Sequence, residues 1–183
     1  MAFFKSKKTA IAVCILLVLI AVVFGSHRSL NALRAEAVAL YTNGDENGLS
    51  ILANLNSIQA YAAALLKAAA PYYDGTDTAF AAVKAAHTRL TDALGKDVTA
   101  QRQALTELLN ACTALQLDYT GSSTIPADAA KAMTRSINDI VSMKDQIRHS
   151  GYNSAASKFN AVLDTFPAGP LGKLTGIRAL PVF

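Results

Sequence analysis

The spacing of the apolar residues constrains this chain most strongly, because it alternates between three and four. One such series runs through Ile51, Leu55, Ile58, Ala62, Leu65, Ala69 and Tyr72. A heptad spacing of this kind places all its members on one side of a helix. The same spacing predicts helices over residues 76–95 and 98–119, and the sequence contains no alternating strand pattern. The chain is therefore predicted to be all-α.

A ladder of aromatic residues marks the end of the last predicted helix, which covers about 127–166. It consists of Tyr152-Asn153, Phe159-Asn160 and Phe166-Pro167, each seven residues after the one before. Seven residues are close to two helical turns, so the aromatics share one stripe and the asparagines the next. Pro167 is expected to stop the helix. We interpret the aromatics as a core packing stripe, or alternatively as a docking surface for a partner helix. The asparagines are expected to bond across the bundle and fix its register.

An uninterrupted apolar run occupies residues 10–25, AIAVCILLVLIAVVFG. With Thr9 and Ser26 it would span roughly 27 Å as a helix, enough to cross a hydrocarbon core. Lys5, Lys7 and Lys8 precede it, which favours a cytoplasmic N-terminus and a domain outside. A cleaved signal peptide is the alternative, since a basic start and an apolar core are shared by both.

The charge distribution excludes nucleic acid as the expected partner. The chain has seventeen basic and thirteen acidic residues, and three of the basic residues lie before the apolar run. The remaining domain is nearly neutral and has no basic stripe for a phosphate backbone. The expected partners are the lipid bilayer, through residues 10–25, and a protein partner or a second copy of the chain.

The residues that usually carry chemistry are sparse. No glutamate has a histidine three residues later, as a bundle di-iron site requires, and no zinc-spaced pair of Cys or His is present. Cys14 lies in the apolar run. Cys112 lies within a helical pattern and is expected to be a small, buried, apolar side chain. His87 falls on an apolar seam and is expected to be a core or boundary residue. We therefore predict no catalytic residue, no metal site and no cofactor.

Three segments organise the chain. Residues 1–26 are the basic N-terminus and transmembrane anchor, residues 27–166 a helical bundle, and residues 167–183 an irregular tail rich in Gly and Pro. Short turns between the predicted helices favour antiparallel neighbours. The expected architecture is an N-terminal transmembrane helix followed by an antiparallel helical bundle with a long C-terminal helix.

The C-terminal residues, together with the basic start and the single apolar segment, resemble the LemA family of bacterial membrane proteins. The family ends in Tyr-Asn, Tyr-Asn, Phe-Pro, a Gly-aromatic pair and Pro-x-Phe. Here the ladder is followed by Gly176-Ile177 and Pro181-Val182-Phe183. Phe159 and Ile177 depart from that pattern. Of the family's first-helix motif only Ala53-Asn54-Leu55 is similar, and it lacks the Pro and the Arg. The chain therefore resembles a divergent member, which implies a membrane-anchored helical bundle with no cofactor.

These observations together predict a function. We expect a single-pass protein at the cell membrane whose bundle acts non-enzymatically through protein–protein contacts at the cell envelope. The alternative is an extracytoplasmic sensor or small-ligand-binding bundle that uses a cavity between helices.

Overall fold

The structure is a computed structural model, and it describes residues 7–46, 48, 50–74 and 76–183. Within these residues every regular element is a helix, so the all-α prediction is confirmed. The helices are α1 (Lys7–Asn43), α2 (Ile51–Ala69), α3 (Thr78–Ala93), α4 (Val98–Thr120), α5 (Ala127–Arg148), α6 (Gly151–Leu163) and α7 (Ala168–Thr175). Lys5, part of the basic start, lies outside the described residues.

The predicted long final helix is two helices, because the chain leaves the helical path at His149 and Ser150. Tertiary partners stabilise this break. The backbone N–H of Gly151 donates to Asp45 Oδ2 at 3.1 Å. A Cβ at this glycine would lie 3.1 Å from the Cβ of Asp45, so the small residue permits the close approach. The single helix over 127–166 was thus a wrong expectation, because α5 ends at Arg148 and α6 covers only Gly151–Leu163.

The tail predicted to be irregular contains α7. Pro170 sits in the first turn of this helix, where a missing N–H and a fixed φ are tolerated. Gly176 ends the helix in the left-handed conformation with φ +74°, and the N–H of Ile177 donates to Gly172 O at 2.9 Å. This is the C-terminal geometry that favours glycine. Gly176 is one of the glycines on which the prediction of an irregular tail was based, and in the structure it ends a helix.

The chain divides into two compact units. The N-terminal unit comprises Met1–Val38 and Ala155–Leu180, and the bundle unit comprises Ala39–Ser154 and Pro181–Phe183. The domain boundary predicted at residue 26 lies inside α1, which continues without a break to Asn43. The boundary predicted at residue 166 lies in the turn between α6 and α7.

The bundle unit is built on four helices. α2 packs on α5 and α3, and α4 packs on α3 and α5, which closes a ring around one core. The connections 70–77, 94–97 and 121–126 are short, as expected for antiparallel neighbours. The predicted α2 seam forms part of this core, except that Tyr72 lies beyond the helix and is exposed. Completely buried side chains include Ile51, Leu55, Ile58, Leu65, Leu90, Leu108, Leu115, Met133 and Ile140.

Two buried polar side chains fix the ends of helices in the bundle unit. Ser50 accepts a hydrogen bond from the N–H of Ala53 at 3.2 Å, which satisfies a free donor in the first turn of α2. Gln101 of α4 donates to Leu94 O at 3.3 Å and to Lys96 O at 3.0 Å, just beyond the end of α3. These bonds hold the α3–α4 turn against the helix that follows it.

The N-terminal unit contains most of α1 and α6, with all of α7. Its buried side chains are few: Leu30, Ala37, Ala156, Phe159 and Leu180. In the turn after α6 the backbone approaches closely, because a Cβ at Gly169 would lie 2.6 Å from Leu163 O. The stretch of α1 before Gly25 is different, since its large apolar side chains are mainly exposed.

Candidate functional site

The aromatic ladder is the candidate site that the sequence singled out, and the structure divides it. Tyr152 and Phe159 lie on α6 and are buried, with 1% and 2% of their surface exposed. Phe166 is 89% exposed, so its predicted place in the packing stripe is wrong. The physical reason is that α6 ends at Leu163, which removes Phe166 from the heptad register. Pro167 follows in the same turn, and the Phe166–Pro167 peptide bond is cis.

In the bundle unit, Tyr152 combines an aromatic contact with a hydrogen bond. Its ring meets that of Tyr41 edge to face, with centroids 5.6 Å apart. Its hydroxyl donates to Pro181 O at 2.7 Å. A buried tyrosine needs a partner for its hydroxyl, and here the C-terminal backbone supplies it. Tyr152 therefore fixes the position of Pro181 as well as filling the core.

Asn153, also in the bundle unit, joins the end of α5 to the end of the chain. Its Nδ2 donates to Ile147 O at 3.0 Å and to Arg148 O at 3.3 Å. Its Oδ1 accepts from the backbone N–H of Phe183 at 2.9 Å. The last carbonyls of a helix lack partners within the helix, so this amide caps α5 while it holds Phe183.

Asn160 has an equivalent role within the N-terminal unit. Its Nδ2 donates to Leu180 O at 2.7 Å, and the N–H of Leu180 donates back to its Oδ1 at 2.8 Å. A side-chain amide has an N–H donor and a carbonyl acceptor on the same edge, so it can bond to the N–H and the C=O of one residue at once. Both asparagines were expected to bond across the bundle, but both bond to backbone close to the C-terminus. We refer to these two contacts as the Asn153 clamp and the Asn160 clamp.

A second feature of the bundle unit, here called the basic groove, was not found from the sequence. It has a volume of about 240 Å³, and it is lined by Arg102, Leu105, Thr106, Leu109, Lys144, Ile147, Arg148 and Phe183. Arg102 Nη1 donates to Val182 O at 3.1 Å, which attaches the C-terminal segment to its edge. The groove combines three cationic side chains with an aliphatic wall. Its residues come from α4, α5 and the C-terminus, so no local pattern could reveal it.

Another depression follows α5 alone. Its volume is about 500 Å³, but all its lining residues fall between Asn138 and His149. It has no wall from a second element, and we interpret it as the exposed face of α5. His149 Nδ1 lies 2.8 Å from Asp145 O in the same face.

The titratable and metal-binding residue types are dispersed in the described part of the chain. Within residues 7–46, 48, 50–74 and 76–183 no three side chains among His, Cys, Asp and Glu are grouped to hold a metal ion. Cys14 is exposed and Cys112 is buried, and both are free thiols. Burial raises the pKa of the Cys112 thiol to about 11. A neutral, buried thiol is a packing residue rather than a nucleophile.

The fold defines a class, namely an all-helical bundle protein whose N-terminal helix is long and apolar enough to cross a membrane. Comparisons with known proteins found no matching family model, no matching curated protein and no matching solved structure.

Proposed function

We propose that this chain is a single-pass, membrane-anchored bundle that acts non-enzymatically through protein–protein contacts at the cell envelope. The observation that carries the proposal is the exposed apolar surface of α1. The side chains concerned are Ile11, Ile15, Leu16, Leu17, Val18, Leu19, Ile20, Val22 and Phe24, which are 44–72% exposed. An apolar patch of this extent is unfavourable in water, whereas a bilayer would cover it.

The orientation in the membrane is proposed from charge. Lys7 and Lys8 stand just before the apolar run, with Lys5 further upstream, and Arg28 and Arg34 follow it. The excess on the N-terminal side favours a cytoplasmic N-terminus. A reporter fused after Phe183 that is active only outside the cytoplasm would support this, and activity only inside would reverse it. The signal-peptide alternative is tested by the mass of the mature chain, which would lack the apolar run.

The face of α2 opposite its core seam supports a protein partner. Ala53, Asn56, Ala60, Ala63 and Lys67 share this stripe and are all exposed. Lys67 is the only charged residue among the nineteen that make up α2. Small, uncharged side chains on an exposed helix face let a second helix approach closely, whereas solvated faces usually carry more charge.

A matched pair of substitutions tests this contact. Ala60→Glu places a charge on the stripe of α2, and Ala82→Glu places the same charge on an exposed position of α3. Neither change touches the core, so both variants should fold as the wild type does. Chemical cross-linking in native membranes should give a reproducible adduct that Ala60→Glu abolishes and Ala82→Glu preserves. Recovery of monomer alone from the wild type would contradict the proposal.

The resemblance to the LemA family is part of the same proposal. It rests on the ladder from Tyr152 to Pro167 and on the close at Pro181–Phe183. The two asparagine clamps offer a physical reason for such a pattern, since each asparagine of the ladder holds a backbone segment near the close. A family of this kind would share the clamps rather than a catalytic site.

The basic groove favours a second candidate function, the binding of a small amphipathic anion. Leu109 and Phe183 would contact an apolar chain, while Arg148 would face its charge. Calorimetric titration of the full chain in neutral-lipid nanodiscs with dodecanoate tests this. Binding that is weakened by Arg148→Gln, with none for uncharged dodecanol, would support it. Equal heats from both compounds would show only partitioning into lipid.

A further inference from the structure

Within the N-terminal unit, a stretch of α1 and residues at the turn between α6 and α7 form the two sides of a groove. Its volume is about 290 Å³. It is lined by Gly25, Ser26 and Leu33 of α1, among others, and by Val162, Pro167 and Ala168 on the opposite side. The turn that contains Phe166 therefore lies beside a defined stretch of α1.

That stretch begins where the apolar run ends. Residues 10–25 are uncharged and apolar, and Ser26 is the first polar residue after them. From Gly25 to Leu33 a helix rises about 12 Å. The interfacial layer of a bilayer extends several ångströms beyond its hydrocarbon core, and peripheral apolar groups enter it to a depth of about 5–10 Å. If α1 spans the membrane, the α6–α7 turn lies at the level of this layer.

The side chains around this turn are unusually apolar for exposed positions. Phe166 is 89% exposed and Leu174 of α7 is 72% exposed. Phe24, at the end of the apolar run, is also 72% exposed. Phenylalanine and leucine are among the side chains that membrane-surface segments bury in the boundary between headgroups and acyl chains, and removing their apolar surface from water is favourable.

The charge of the same segment suits a bilayer surface. Within residues 155–180 the exposed basic residues are Lys158, Lys173 and Arg178, and the one acidic residue is Asp164. Basic residues near an anionic leaflet are attracted to it, and the attraction falls off within a Debye length. Lys173 is adjacent in sequence to Leu174, so charge and apolar surface occur together on α7.

We propose that the α6–α7 turn is a second membrane contact, in which Phe166 enters the interfacial layer of the bilayer that α1 crosses. This inference rests on the membrane anchoring proposed above. It gives a role to the one aromatic of the ladder that leaves the packing stripe. The contact would hold the turn at the membrane surface and restrict rotation of the N-terminal unit about the axis of α1.

Single-tryptophan variants test the proposal, because the chain contains no tryptophan. Phe166→Trp reports the turn, and Phe24→Trp reports the end of the apolar run. Glu36→Trp is the control, because it is an exposed position of α1 in the same unit, about 15 Å along the helix from Ser26. Each full-length variant is reconstituted in vesicles of three parts phosphatidylcholine to one part phosphatidylglycerol. Lipids with dibrominated acyl chains, which quench tryptophan on contact, replace the normal lipids in half of the samples. Circular dichroism checks that all three variants are equally helical.

We expect strong quenching of Phe24→Trp, clear quenching of Phe166→Trp with emission shifted to shorter wavelength, and none for Glu36→Trp. If Phe24→Trp is quenched but Phe166→Trp is no more quenched than Glu36→Trp, the anchor stands and the second contact is refuted. If Phe24→Trp is not quenched, the proposed anchor fails and the second contact fails with it. A shift of Phe166→Trp that depends on protein density and not on bromine would assign the turn to contact between copies of the chain instead.

Discussion

The Asn160 clamp gives a prediction whose size follows from the structure. Asn160→Ala removes two hydrogen bonds of 2.7 and 2.8 Å between the side-chain amide and the backbone of Leu180. Leu180 is only 6% exposed, so water replaces these bonds only if the segment moves outward. Each such bond contributes a net stabilisation of about 1 kcal/mol. The closed position of Leu180 should therefore be destabilised by about 2 kcal/mol.

Hydrogen exchange at the backbone N–H of Leu180 measures this loss directly. This N–H donates to Asn160 Oδ1, so it can exchange only when the clamp opens. A loss of about 2 kcal/mol corresponds to exchange that is faster by roughly thirtyfold. Asn160→Asp is a useful second variant, because it keeps the acceptor for the N–H but turns the donor that faces Leu180 O into another oxygen.

The matched control is Asn138→Ala, which removes the same side chain from an exposed position on α5. It should leave exchange at Leu180 unchanged. We expect Asn160→Asp to protect the N–H of Leu180 better than Asn160→Ala does, while still weakening the clamp. The reasoning is refuted if Leu180 exchanges at the same rate in the wild type and in Asn160→Ala, or if Asn138→Ala accelerates it equally.

Three further predictions concern the bundle unit. Leu115→Ala empties a fully buried position and should lower the free energy of unfolding by about 2–5 kcal/mol, measured by denaturant titration, whereas Leu117→Ala on the exposed side of α4 should change it by less than about 0.5 kcal/mol. Ser50→Ala removes the N-cap of α2 and should cost about 1 kcal/mol in the same assay, while an unchanged midpoint would show that the cap contributes nothing. Cys112, with a buried thiol whose pKa is raised to about 11, should resist maleimide at pH 8 until the chain is unfolded, and labelling as fast as that of Leu117→Cys would contradict the burial.

The helices could be predicted from the local sequence, because side chains three and four residues apart lie on the same face of a helix. The series from Ile51 to Ala69 and the same spacing within residues 76–95 and 98–119 predicted α2, α3 and α4 to within a few residues. The apolar helix α1 could also be predicted, because the length of a helix and its lack of charge decide whether it can cross a membrane. Tyr152 and Phe159 were correctly placed on one helix, because residues seven apart lie on the same side of a helix.

The sequence could not reveal contacts that join residues far apart in the chain. The end of α5 at Arg148 depends on the amide of Asn153 and on Asp45, more than a hundred residues away. Phe166 leaves the stripe that its spacing predicted because α6 ends at Leu163. The basic groove likewise exists only because α4, α5 and the C-terminal segment meet.

The all-α class and the helical seams therefore follow from periodicity over a few turns, and the apolar N-terminal helix follows from the length and lack of charge of one segment. The role of the ladder depends on the folded chain. The tertiary structure assigned Tyr152 and Phe159 to buried positions, and it gave Asn153 and Asn160 backbone partners near the C-terminus. It also left Phe166 exposed beside α1. The physical reason is that a side-chain amide bonds to whatever backbone the folded chain brings to it, and sequence spacing does not specify that partner.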